Sequence, residues 1–129
     1  LEDLVARFWD AGRKKPANRA ALISSHVLIA ACILYRQSQG GWLWFALLFL
    51  VPDISMLGYF AGKKLGSALY NSVHTYTAPL LAFSILWFSG GTSHLWIVLI
   101  WLAHVGFDRM LGYGLKYETA FKDTHLQRV

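Results

Sequence analysis

The stretch WLWFALLFLVPDISMLGYFAG, Trp42 to Gly62, decides the fold. It is long enough for a membrane helix, which needs about 17–25 apolar residues. Its apolar run is continuous rather than alternating, which excludes a strand of a membrane barrel. Yet Pro52 and Asp53 stand near its centre, where an ionised side chain costs about 2.5–3.5 kcal/mol on insertion scales and marks a functional position. Working outward, three more apolar stretches appear: Ala20 to Tyr35, Gly66 to Phe88 and Leu95 to Leu115. The connections between them, Arg36 to Gly41, Lys63-Lys64 and Ser89 to Ser93, are too short for an extramembrane domain. Neighbouring helices must then be antiparallel. The expected fold is an all-α membrane protein, an antiparallel four-transmembrane-helix bundle over residues 20–115.

Composition agrees with a membrane setting. Of the 129 residues, 56% are apolar and only 15% charged, against about 45–50% and 25% in soluble domains. A soluble domain of this length cannot bury so much apolar surface. Cys32 stands alone, so no intramolecular disulfide forms. The net charge of +5 raises the question of nucleic acid. The distribution of charge answers it: with the N-terminus inside, eleven of the 12 basic residues fall on the inner side and only Arg36 outside. That is the positive-inside pattern, with attraction to anionic lipid and no nucleic-acid partner. Both termini are expected in the cytoplasm.

The two ends differ in kind from the middle. In residues 1–19, Leu1, Leu4, Val5, Phe8 and Trp9 recur at helical spacing opposite Glu2, Asp3, Arg7 and Asp10. This predicts a short amphipathic helix, ended by Gly12 and the basic run to Pro16, lying on the inner leaflet or docking a membrane-complex partner. Residues 116–129 form a cytoplasmic tail, in which Asp123 and His125 either fold back over the bundle or stay solvated. Trp42, Trp44, Trp87 and Trp96 read as an outer aromatic belt, and Gly58, Gly62 and Gly66 as a site of close helix contact.

Polar residues inside the spans carry the functional reading. Counted at about 1.5 Å per residue from the inner ends of three helices, Asp53, His74 and His104 share one level, about 12–14 Å deep. Asp108 follows His104 by one turn on the same face, displaced toward the cytoplasm. Tyr70 and Asn71 stand on the His74 side, and Pro52 and Pro79 weaken the backbone nearby. Two imidazoles and two carboxylates suit a divalent transition metal such as Zn²⁺, Fe²⁺ or Mn²⁺. Asp53, His74, His104 and Asp108 are then metal ligands or catalytic acid–base groups, and Arg109 snorkels or clamps a phosphate. Three alternatives stay open: a haem held by His74 and His104, a proton-transfer role, and buried His–Asp pairs that only fix helix register.

Several strings are distinctive beyond their pattern: Pro52 to Tyr59, Tyr70 to Tyr76, Ile100 to Arg109, Gly112 to Tyr117 and Phe121 to Leu126. Together they resemble a family of small bacterial integral-membrane proteins known as domain of unknown function four-two-six-zero, over roughly Ser24 to Val129. The resemblance implies a multi-pass protein of the bacterial inner membrane and transfers no activity. The sequence thus yields two main functional expectations. One is a metal-dependent enzyme on a lipid-like or other small-molecule substrate. The other is a structural or haem-bearing electron-transfer subunit of a membrane complex.

Overall fold

In the structure, a computed structural model, residues 2–114 are described, with side chains from residue 19 onward. The described residues are all-α, with five α-helices: α1 (Glu2–Gln37), α2 (Trp42–Phe49), α3 (Lys63–Val73), α4 (Thr77–Phe88) and α5 (Leu95–Met110). Two 3₁₀ segments, Val51–Ala61 and Thr92–His94, join them.

The expected four transmembrane helices are not there. Among the described residues, two elements are long and apolar enough to cross a membrane: Arg19–Gln37 within α1, and Trp42–Ala61. The second reaches its length unusually. Pro52 has no N–H for the Leu48 carbonyl, and the Asp53 N–H bonds the Leu50 carbonyl at 3.2 Å in an i→i−3 pattern. The eight residues of α2 and the eleven of the 3₁₀ segment together span about 34 Å, because 3₁₀ rise is longer than α rise.

The other two stretches fall short for reasons that polar side chains supply. The third is broken at His74–Tyr76. There the Trp101 indole N–H takes the Val73 carbonyl (2.7 Å) and the Arg109 guanidinium takes the His74 carbonyl (2.6 Å), so neither continues a helical ladder. Pro79 could not have received the Thr75 carbonyl in any case. That leaves α4 with 12 residues, about 18 Å against a hydrocarbon core of about 30 Å. The 16 residues of α5 reach about 24 Å. The short N-terminal amphipathic helix is also corrected, because α1 is one helix of 36 residues running through Gly12 and Pro16. A single proline removes only one N–H donor from so long a ladder.

α5 is the central element. It buries Val98, Ile100, Ala103, His104, Val105, Gly106 and Arg109. Gly106 is where α1 approaches it: a Cβ there would lie 3.0 Å from the Ser24 carbonyl oxygen and 3.2 Å from the Leu28 nitrogen. On the other side, the 3₁₀ segment and α3 close into a hairpin at Gly62, whose φ of 131° suits glycine. The Tyr59 ring covers Gly66, where a Cβ would come within 2.4 Å of it. Gly58 and Gly66 therefore make the close contact, and Gly62 makes the turn.

The two long apolar elements leave most of their surface uncovered, with 17% of one window and 6% of the other buried. Leu43, Phe60 and Phe88 are among the most exposed side chains. An apolar surface of this extent needs an apolar surrounding. The protein is membrane-associated. Of the four tryptophans expected in a belt, Trp42, Trp44 and Trp87 are exposed and Trp96 is half-buried.

Candidate metal centre

The fold brings Asp53, His74, His104 and Asp108 to one point. Each offers one ligand atom, and the four lie within 4.8 Å of one another. His74 Nε2 and His104 Nε2 are 3.0 Å apart. Asp53 Oδ1 is 3.5 Å from both nitrogens, and Asp108 Oδ2 is 3.5 Å from His74 and 3.7 Å from His104. Ligands at about 2.0–2.2 Å from a tetrahedral ion stand about 3.3–3.6 Å from one another. The observed edges straddle that value.

Each ligand has its own structural origin. Asp53 follows Pro52 in the 3₁₀ segment and is the most exposed of the four, at 36% of its side chain. His74 is fully buried and stands where α3 ends, so its position depends on the break in the third apolar stretch. His104 and Asp108 share a face of α5. The Asp108 backbone lies one turn beyond His104 on α5. Its side chain leans back toward the helix N-terminus and brings the carboxylate to the level of the other three.

Tyr70 holds two of the ligands at once. Its carbonyl accepts the His74 Nδ1–H at 2.9 Å, its ring stacks on the imidazole at 3.7 Å, and its hydroxyl donates to Asp108 Oδ2 at 3.1 Å. Burial pushes the His74 imidazole below its ordinary value, against the pull of the Tyr70 carbonyl and of Asp108. Burial and the Asp108 carboxylate push the Tyr70 phenol upward, so it keeps the proton it donates.

The four donors are of a kind that could hold a metal ion. With the His74 proton on Nδ1, its Nε2 presents a lone pair. Two carboxylate oxygens and His104 Nε2 face it, and the Tyr70 O–H donates to one of those oxygens. Carboxylates held this close together in a largely buried site gain from a positive charge beside them, which a metal ion or a protonated imidazole supplies. His104 Nδ1 is buried without a hydrogen-bond partner among the described residues, with the Phe49 ring edge-on to the imidazole at 5.0 Å. The same geometry fits haem poorly: nitrogens 3.0 Å apart leave no gap for a macrocycle, and both carboxylates occupy its place.

Other polar and charged residues take lesser parts. Arg109 is buried and bonds the Tyr113 and His74 carbonyls at 2.6 Å each, so it neither snorkels nor clamps a phosphate. His26 is exposed and its Nδ1 lies 2.7 Å from the Leu22 carbonyl, outside the cluster. Asp123 and His125 fall outside the described residues. The capping of Val73 by Trp101 was not read from the sequence; the signal available was Trp101 standing one turn before His104. The bond from the Tyr76 hydroxyl to Ser24 Oγ, 2.8 Å, joins residues too distant in sequence to leave any signal.

No curated protein and no solved structure matches the chain. The profile of one family does match, over residues 21–129, a range that includes all four residues of the quartet. The chain belongs to the family described as Domain of unknown function (DUF4260).

Proposed function

We propose that this is a membrane-associated metalloenzyme in which Asp53, His74, His104 and Asp108 hold one divalent ion of the zinc, iron or manganese kind and act on a lipid-like substrate. The observation that carries the reading is the convergence of four potential ligand atoms within 4.8 Å, largely buried. Held by these four residues with a fifth coordination position open, such an ion would supply Lewis acidity and an activated water. Asp53, the most exposed ligand, is the side from which a reactant meets the centre. Tyr70 keeps Asp108 and His74 in place. The exposed apolar faces of Arg19–Gln37 and Trp42–Ala61 support a substrate drawn from the bilayer. Around the two elements long enough to span, Arg19 and the Lys63-Lys64 pair fall at one end and Arg36 at the other, which supports an orientation with both termini in the cytoplasm.

Elemental analysis of the protein purified without added chelator tests this directly. About one equivalent of a transition metal is expected, lost in a His104→Ala, Asp108→Asn double variant. Less than a tenth of an equivalent, unchanged by the substitutions and by metal added back, removes the metalloenzyme reading.

A further inference from the structure

Beside the quartet lies a cavity of ≈ 410 Å³. Three of its lining residues fix where it sits: Pro52 precedes Asp53, Val73 precedes His74, and Trp101 stands one turn before His104 on α5. Each of the three elements that carry ligands therefore contributes a residue to the lining, close in sequence to a ligand. The mouth is formed by Val51, Ile54 and Ile97, which are 47%, 59% and 40% exposed. Val51 and Ile54 belong to the apolar element that is only 6% buried, so the cavity opens where the protein presents its bilayer-facing surface. No charged side chain lines it. At its wall the Trp101 indole N–H bonds the Val73 carbonyl, and Ser55, whose buried Oγ has no hydrogen-bond partner among the described residues, is the one hydroxyl-bearing residue of the lining.

We propose that this cavity holds a single hydrocarbon chain of an amphiphile taken from the bilayer, with its polar head at the metal quartet. The proposal rests on the metal reading above and names the substrate class of the same site. An occupant must present carbon to the walls and mouth, and an oxygen or similar donor to the neighbouring layer of imidazoles and carboxylates. Only an amphiphile satisfies both. The volume lies near the lower end of the roughly 300–1,000 Å³ of small-molecule pockets, which suits one chain rather than two.

Straight-chain alkyl hydroxamates separate head from tail, because the head coordinates divalent metal and the chain length is free to vary. The cobalt-loaded protein in nanodiscs is titrated with acetohydroxamate through octanohydroxamate, following cobalt absorption. Affinity corrected for membrane partition is compared with that of Ile97→Trp and, independently, Ile54→Trp, each of which fills part of the cavity. Burying each methylene is worth about fourfold in affinity, so blocking even two positions is expected to weaken octanohydroxamate by about tenfold or more. Acetohydroxamate and cobalt are expected to bind both variants as they bind the parent. If cobalt and acetohydroxamate bind normally and octanohydroxamate loses nothing in either variant, the cavity is not the tail site, and the metal reading stands. If the parent binds no cobalt, the metal reading fails and the tail site falls with it.

Discussion

Replacing Tyr70 by phenylalanine removes one oxygen from the support of the centre and leaves the rest standing. The ring that stacks on His74 at 3.7 Å remains, as does the carbonyl that accepts its Nδ1–H. What disappears is the 3.1 Å hydrogen bond to Asp108 Oδ2. Losing a partner that orients a ligand costs about 10–100-fold in metal affinity, equivalent to about 1.4–2.7 kcal/mol. The metal-free protein should lose less, because Asp108 is 13% exposed and water replaces part of the bond. The assay is a competition titration of cobalt or zinc against a chromophoric chelator, paired with thermal unfolding of the metal-free protein. Tyr35→Phe is the control. Its hydroxyl donates to the Gly41 carbonyl at 2.8 Å, and the tyrosine is fully buried. It packs near Trp96, eight residues and about 12 Å before His104 along α5. That variant should lose stability and keep its metal affinity. Should Tyr70→Phe bind metal within twofold of the parent while its stability falls as far as that of Tyr35→Phe, Tyr70 serves folding alone and has no part in holding the metal.

Three further outcomes follow from the same geometry. Arg109→Met leaves the His74 carbonyl buried without its donor, whereas Tyr113 is 48% exposed and its carbonyl can turn to water, so a loss of about 1–3 kcal/mol is expected in chemical denaturation. Gly106→Ala places a methyl against backbone atoms of Ser24 and Leu28 rather than a flexible side-chain end, so α1 must move, at about 1–3 kcal/mol in the same assay. Metal at about one hundred times its dissociation constant should stabilise the parent by about 2.7 kcal/mol, read as a rise in unfolding temperature, and should leave a His104→Ala, Asp108→Asn variant where it was.

The sequence showed the helical class and the apolar stretches clearly, because a continuous apolar run of such length fits little besides a helix. It misplaced the breaks. Gly66 to Phe88 reads as one span by hydropathy, and only Pro79 hinted otherwise. What ends α3 is a pair of donors, Trp101 and Arg109, arriving from a helix more than 25 residues away in sequence. Hydropathy is local and those bonds are not. The 3₁₀ course of Val51–Ala61 escaped for a related reason. Pro52 predicts a disturbed ladder, yet it says nothing about whether the chain recovers α geometry afterwards; the Tyr59–Gly66 packing that accompanies the 3₁₀ course is a contact between elements.

The quartet was legible despite those errors, and the reason is energetic. An isolated carboxylate or imidazole in an apolar run is costly enough that each must find polar company. Depth counting then needed only the right end of each stretch, and the inner ends near Gly62, Gly66 and Tyr113 were fixed by glycines and charge rather than by helix type. The broken third stretch did not spoil the count, because His74 sits at the break itself, after α3 has run unbroken from Lys63. The break and the site are in fact one feature. The Arg109 guanidinium that caps the His74 carbonyl follows Asp108 on α5, and the Trp101 indole that caps Val73 precedes His104 there. The helix that supplies two ligands therefore also ends α3 at the third. A continuous helix through residues 74–76 would have needed both carbonyls back, and would have traded a fixed His74 for membrane-spanning length.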